Sequence, residues 1–280
     1  MIKNFKEFCE TPFDIIVLAG QSNAQGGGLG EVENRYERDE NVCFLNDTKT
    51  FGLTVDPETD NVFLTADCPS VTYISVAEDN EGAANFAFSF ASAYAKNNLQ
   101  KGRKLLIIRT AVGGTGFTRG EWLVTNKLYL RMLSMVDEAL QLNKDNRLVA
   151  FLWHQGEHDA FERAEMGNPV EEIESFYYTH FKEMITSFRA RYEVNDLPVL
   201  AGGFVDEWRV TYEDACNAIY NATKRVFTEI GNAEFVEAYG LKSNNQTVGN
   251  GDNIHFSRES VYTFGEKYYE KYIEIISHNH

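Results

Sequence analysis

The chain has 280 residues, of which 43% are hydrophobic and 24% charged, with 26 Lys and Arg against 42 Asp and Glu for a net charge of −16. A chain of this size and composition folds round a core without disulfides or metals and is not a disordered polymer. Its acidity excludes nucleic acid and anionic membranes as partners, since both demand basic side chains to neutralise phosphates. The four cysteines (Cys9, Cys43, Cys68 and Cys216) form no CxxC pair and lie at no zinc-ligand spacing, so they read as small buried hydrophobes in a reducing compartment. Glu7, Glu10 and Asp14 interrupt the N-terminal stretch where a secretory segment needs an apolar run, and no window reaches the length of a membrane-spanning helix. A cytoplasmic location is the default expectation, with secretion open if a leader has been trimmed away.

In chain order, the first apolar run is DIIVLA at 14–19, a buried strand by its Val, Ile and Leu content. It runs into Gly20-Gln21-Ser22-Asn23, then Ala24, Gln25 and the glycine run 26–28. About fifty residues, 31–81, then pass before the first clear helix, a length of loop that is uncommon and usually functional. This insert, bounded at about 31–84, is where a substrate-shaping lid is expected, and 42–45 and 71–76 read as short extra strands within it. Helical period follows over 85–97, then a strand at 105–112 that opens on Gly113-Gly114-Thr115-Gly116. A helix over 128–142 leads to the strand 148–154 and to Gln155-Gly156-Glu157-His158-Asp159. A helix over 170–192, a strand at 198–204, a helix over 212–230 and a strand at 234–239 complete the alternation. Asp252-Asn253-Ile254-His255-Phe256 precedes the last helix, 257–276, for which Ser257 is an N-cap with Glu259 in the first turn. Strand–helix alternation of this kind builds an α/β fold, a parallel sheet with helices on both faces. No proline- or serine-rich linker and no internal repeat divides it, so a single domain is expected.

Ligands of open parallel sheets bind outside the carboxyl ends of the strands, and all four polar clusters fall there. A serine turns nucleophilic only beside a base and an oxyanion hole. Ser22, on a glycine-flanked turn, is the candidate nucleophile, although a lone strand-end serine is otherwise a capping residue. His255 is the candidate base, because Asp252 three residues earlier can reach its ring N–H and fix its tautomer. Gly114 offers a backbone N–H, and Gln155 a side-chain amide, to a developing oxyanion. Ser22 also sits in Gly-x-Ser-x-Ala, near the nucleophile elbow of α/β-hydrolases, but only about twenty residues precede it where that fold places several strands. His154, inside a strand with no carboxylate ahead of it, reads as a core histidine, and His180, His278 and His280 receive no role.

Together GQSN, GGT, QGExD and DxxHF, in that order over residues 20–256, resemble the SGNH hydrolase superfamily. Within it the chain most resembles the sialate O-acetylesterase-like branch, which includes carbohydrate esterase family 6 acetylxylan esterases. The resemblance implies a three-layer α/β/α, flavodoxin-like fold and serine ester hydrolysis that needs no cofactor or metal. It marks Ser22 as nucleophile, His255 as base and Asp252 as its partner, with the N–H groups of Ser22 and Gly114 and the side chain of Gln155 as oxyanion hole. Gln21, Asn23, Gly113, Glu157 and Asp159 are expected to orient these groups, with Glu157 a further candidate to orient His255. His158 stands where a small residue is more usual and narrows the room there, and the glycine run after Ser22 is longer than the family pattern suggests.

The expected activity is removal of O-acetyl groups from a carbohydrate, either acetylated xylan or oligosaccharide or sialic acid, through an acyl-enzyme. The rivals are an SGNH lipase- or thioesterase-like hydrolase of other small esters, and a non-catalytic sugar-binding module. A glycosidase would need an opposed carboxylate pair, for which Glu157 and Asp159 are a weak basis. The partner expected is therefore a small-molecule or oligosaccharide substrate. Of the 20 Phe, 14 Tyr and 3 Trp, most belong to the core, Tyr268, Tyr269 and Tyr272 among them; Trp122 and Trp208 are the candidates to line a substrate cleft.

Overall fold

The computed structural model describes residues 10–33, 35–47, 54–55, 62–63, 72–78 and 84–278. Among these, nine strands form, and seven of them make one sheet. In chain order the strands are β1 (Phe13–Gly20), β2 (Val42–Asp47), β3 (Thr54–Val55), β4 (Val62–Phe63), β5 (Thr72–Val76), β6 (Lys104–Arg109), β7 (Arg147–His154), β8 (Val199–Gly202) and β9 (Ala233–Val236). The sheet runs β5-β2-β6-β1-β7-β8-β9, parallel throughout except for β5, which pairs antiparallel with β2 at the edge. Stripped of β2 and β5, the five remaining strands take the order 2-1-3-4-5 of flavodoxin-like sheets, whose switch point lies between the first strand and the third. Here that point is the border between β1 and β7.

The helices are α1 (Ser22–Gln25), α2 (Phe86–Asn97), α3 (Lys127–Gln141), α4 (Glu157–Glu165), α5 (Val170–Tyr192), α6 (Asp206–Arg209), α7 (Glu213–Ile230), α8 (Asn244–Val248) and α9 (Arg258–His278). The alternation of side chains along β7 shows how they sandwich the sheet. Trp153 faces α5, donating its indole N–H to the Tyr177 hydroxyl at 3.0 Å and stacking on Phe181. Its neighbour His154 faces the other way, between Phe86 of α2 and Phe264 of α9. Tyr268 stacks on Phe86 at 4.4 Å between ring centroids and donates to the Trp153 carbonyl at 2.9 Å, so α2 and α9 close that face as one aromatic layer.

Each strand and helix expected from the apolar pattern is present, with ends shifted by a few residues. The strand expected over 105–112 stops at Arg109, and its last residues continue as extended backbone, with Thr110 N–H donating to Leu18 O and Val112 N–H to Gly20 O. Asn85 caps α2 by accepting from Phe88 N–H, and Ser257 accepts from Ser260 N–H at the start of α9. The insert contributes β2 and β5 to the edge of the main sheet, and residues 34, 48–53, 56–61, 64–71 and 79–83 of the stretch expected to act as a lid lie outside the described residues. Cys43 and Cys216 are buried free thiols; Cys9 and Cys68 lie outside the described residues. Among the described residues no helix is long and apolar enough to cross a membrane.

At the amino ends of the central strands, Asp14 is fully buried and accepts from Arg103 Nε at 2.7 Å, Arg147 Nε at 2.6 Å and the Tyr94 hydroxyl at 2.8 Å. Burial alone would raise its pKa, but the hydrogen bonds from Arg147, Tyr94 and Arg103 outweigh it and hold the carboxyl below its ordinary range. Asp14 thereby ties β1 to the strands on either side, whose far ends carry the polar motifs. A depressed pKa contributes stability above the unfolded value near 4 and loses it as the pH falls through the folded one. Urea unfolding of the Asp14→Asn variant is therefore expected to show a stability lower by about 1.5–3 kcal/mol at pH 7 and a gap to the unmodified protein that closes below about pH 4.

Candidate active site

β1 ends at Gly20, and Gln21 opens the single turn of α1 on which half-buried Ser22 sits. The next residue, Asn23, is buried, and its amide crosses to two other elements. Its Nδ2 donates to Glu157 Oε1 at 2.8 Å and to the Ile254 carbonyl at 3.1 Å, while its Oδ1 accepts from Phe256 N–H at 3.2 Å. Asn23 thus grips the backbone on both sides of His255. Glu157, wholly buried at the start of α4, also lies 3.0 Å from His154 Nε2. Burial would raise the Glu157 pKa, but the charge and hydrogen bond of His154 and the amide of Asn23 hold it below the ordinary range. The His154 ring is enclosed by Phe86, Phe204, Phe256 and Phe264, which makes it the core histidine expected. Glu157 reaches the His255 loop indirectly, through Asn23.

His255 Nδ1 lies 3.0 and 2.9 Å from the two carboxylate oxygens of Asp252, and Asp252 Oδ1 also accepts from the His255 N–H at 3.2 Å. Burial would raise the Asp252 pKa; hydrogen bonds from Asn244 and His255 prevail and lower it. An ionised carboxylate at Nδ1 holds the proton there and makes Nε2 the basic nitrogen. The face of the ring rests on the glycine run. A Cβ at Gly27 would lie 3.3 Å from ring atoms Cγ and Cδ2, and one at Gly28 would meet Val261 at 2.9 Å and the Arg258 backbone at 3.2 Å. The run is long because it threads between the imidazole and α9, where side chains have no room.

The remaining motifs brace this pair. Gln25 Oε1 accepts from Gly113 N–H at 2.7 Å, tying the loop after β6 to the Ser22 turn and leaving exposed Gly114 beside the cleft. Buried Asp159 accepts from Phe117 N–H at 3.0 Å and Thr118 N–H at 2.6 Å and so pins the far end of the same loop. Gln21 Oε1 accepts from His158 N–H at 3.2 Å. Gln155 departs from its expected place in the oxyanion hole. Its Nε2 donates to Asp159 at 2.7 Å, to the Thr115 carbonyl at 3.2 Å and to Gln21 Oε1 at 3.3 Å. Both of its N–H bonds are thus engaged inside the protein, and the side chain braces the Gly113–Gly116 loop instead of presenting a donor to the cleft.

Ser22, Gly114 and His255 line a cleft of about 470 Å³ whose opposite wall is aromatic. His158 and Phe161 of α4 stand edge to face at 5.5 Å, and Tyr212 packs against both Phe161 and Trp208, at 6.1 and 5.5 Å. Trp208 is a cleft residue as expected. Trp122 is not: it is fully buried, edge-on to Trp153 at 5.1 Å, with its N–H donated to Thr115 Oγ1 at 3.0 Å. Phe161 and Tyr212 escaped the sequence reading; the helical spacing of His158, Phe161 and Glu162 was the signal, hidden because the motif reads as a loop. The His158 side chain lies along its own helix, its Nε2 3.2 Å from Glu162 Oε1 one turn on. No group of three or more His, Cys, Asp or Glu among the described residues is arranged to hold a metal ion.

The ring contact at Gly27 gives a direct check on the geometry. A displacement of about 1 Å in a reacting group costs on the order of a hundredfold in rate. Gly27→Val, which pushes on the His255 ring, is expected to lower ester turnover by about that factor, while circular dichroism at neutral pH still reports a folded chain.

Comparison with known proteins gives this arrangement a family. The fold matches the crystal structure of NanS with a TM-score of 0.73 at 18% identity, over 96% of this chain and 99% of that one. It matches an Arabidopsis thaliana protein at 0.62 and 18% identity, over 94% and 98% of the two chains. A crystal structure described as a novel carbohydrate acetylesterase from Xanthomonas citri matches at 0.59 and 14% identity, over 94% of this chain and 56% of that one. No curated protein matches the chain by sequence. Residues 12–274 match the family described as carbohydrate esterase, sialic acid-specific acetylesterase, and the chain belongs to that family of carboxylic ester hydrolases.

Proposed function

We propose that the protein is a serine O-acetylesterase of carbohydrates that works through an acyl-enzyme on Ser22. The observation that carries this reading is one cleft at the β1/β7 border lined by both Ser22 and a histidine whose Nδ1 is held by a carboxylate. His255 Nε2 takes the Ser22 proton as Oγ attacks the acetyl carbonyl. The oxyanion is stabilised by the backbone N–H groups of Ser22 and Gly114. Collapse expels the sugar hydroxyl, which receives the proton from His255, and water activated by the same imidazole releases acetate and regenerates the serine. Gln155 and Asp159 set the position of the Gly114 loop in this scheme. The substrate class is an acetylated neutral sugar or oligosaccharide such as xylan, or an acetylated sialic acid. The aromatic wall of Phe161, Trp208 and Tyr212 suits the apolar face of a sugar ring.

Replacement of Ser22 by Ala is expected to abolish acetate release from p-nitrophenyl acetate and from acetylated sugars with the fold intact; full activity in that variant contradicts the assignment. Rates on a series of acyl chains should fall steeply from acetyl to butyryl, and equal rates on long chains would favour a lipase-like enzyme. Affinity for acetylated sugars without acetate release would mark a binding module. In Asp252→Asn the tautomer of His255 is no longer fixed, and a loss in kcat of up to about 10⁴-fold is expected. Because the Asp252 carboxyl lies below its ordinary range, it stays ionised above about pH 4, and the kcat/KM profile of the unmodified enzyme should show no inflection from it between pH 5 and 8.

A further inference from the structure

We infer that Asn244 is a positioning residue for the Asp252–His255 pair, a fourth member of the catalytic assembly that none of the four sequence motifs contains. This rests on the proposed roles of Ser22, Asp252 and His255.

Asn244 is fully buried at the first position of α8, and its side-chain amide and backbone N–H are all directed at the site. Its Nδ2 donates to Asp252 Oδ2 at 2.9 Å and to the Gly27 carbonyl at 2.8 Å. Its Oδ1 accepts from Leu29 N–H at 2.9 Å, and its backbone N–H donates to the His255 carbonyl at 2.8 Å. One side chain therefore fixes the carboxylate that orients the imidazole and the glycine run on which the imidazole lies. The distribution of acceptors and donors permits only one orientation of the amide: two oxygens face Nδ2 and one N–H faces Oδ1.

The helix that carries Asn244 is itself anchored. Ser243 and Gln246 form a capping box that holds its first turn. The Ser243 hydroxyl and the Asn245 amide both donate to Glu207, on the helix that bears Trp208, and Asn245 N–H donates to the Asp252 carbonyl at 2.7 Å. The bracket thus couples the loop of the base to the aromatic wall of the cleft. A hydrogen bond to an ionised group is among the stronger ones, and an Asp252 without it has one fewer restraint on the oxygen that faces His255.

The test uses Asn244→Ala and Asn244→Asp, assayed on p-nitrophenyl acetate from pH 5 to 9 beside the unmodified enzyme and Ser22→Ala, with thermal unfolding recorded for each. Asn244→Ala is expected to lose about tenfold to a hundredfold in kcat with KM little changed. Asn244→Asp keeps the shape of the side chain. In its protonated form one donor survives; ionised, it sets a second negative charge against Asp252 and the Gly27 carbonyl. Its activity should therefore be nearest the unmodified level at the acid end and fall as the pH rises, in a range where the unmodified enzyme does not fall. The charged groups around that position are Asp252 and His255 on the base loop, Glu207 beyond Ser243 and Asn245, and Arg258 on the far side of Leu29. A second readout is the downfield proton resonance of the His255 Nδ1–H, expected to shift or broaden in Asn244→Asp as the pH is raised. If Asn244→Ala does not fold, the pH profile of Asn244→Asp decides alone. Asn244→Asp with the profile of the unmodified enzyme, or a loss equal at every pH, overturns the inference while an inactive Ser22→Ala leaves the proposed function standing. An active Ser22→Ala removes the proposed function first.

Discussion

The amide of Asn23 is the constraint on which the site's geometry depends. It sits one residue past Ser22 and bonds the backbone one residue before and one residue after His255, 231 and 233 positions away in sequence. The turn of Ser22 and the loop of His255 approach from opposite ends of the chain, and this side chain fixes their separation. Its orientation depends in turn on Glu157, a carboxylate buried beside His154 at the end of β7. A buried carboxylate in a low-dielectric site costs several kcal/mol unless it is paired and hydrogen-bonded, so Glu157 is held in place by the same contacts it enforces. Two strand ends, those of β1 and β7, and the last loop thus share one polar knot.

The rest of the fold serves to bring those ends together. Parallel pairing of β1 with β6 and β7 puts the carboxyl ends of all three strands on one side, and the Asp14 cluster locks their opposite ends. The insert joins this scheme at the sheet edge. Arg109, at the end of β6, donates to Gln25 O at 3.1 Å and to Asn46 Oδ1 of β2 at 3.2 Å, and its guanidinium lies 4.9 Å from the Phe44 ring centroid. The added strand is therefore linked to the turn of Ser22 through one cation, and a change in β2 has a short path to the site.

Much of this was legible in the sequence, for reasons that differ between elements. The runs 14–19, 105–112 and 148–154 read as buried strands, and 85–97, 128–142, 170–192 and 257–276 carry helical period, because burial on both faces or on one stripe imposes those patterns. Ser22, Asp252 and His255 stood out since their chemistry is local: a serine on a turn, an aspartate within reach of a histidine. What stayed hidden was set by contacts distant in sequence. The antiparallel sense of β5, the burial of Trp122 against Trp153 and the engagement of the Gln155 amide by Asp159 follow from packing that no local pattern encodes. Helix α4 was missed because its first turn is the motif QGEHD, whose glycine and acidic residues read as a loop. Asn244 gave no signal at all, since an asparagine in SNNQ reads first as a cap.

Acylation of Ser22 Oγ is the central step of the proposed reaction, and covalent labelling tests it most directly. Incubation with a fluorophosphonate, followed by intact-mass and peptide mass spectrometry, should show one adduct per chain, located on Ser22, with acetate release lost in proportion to labelling. Complete inactivation with the adduct on another residue, or full labelling of Ser22 with activity retained, would contradict it.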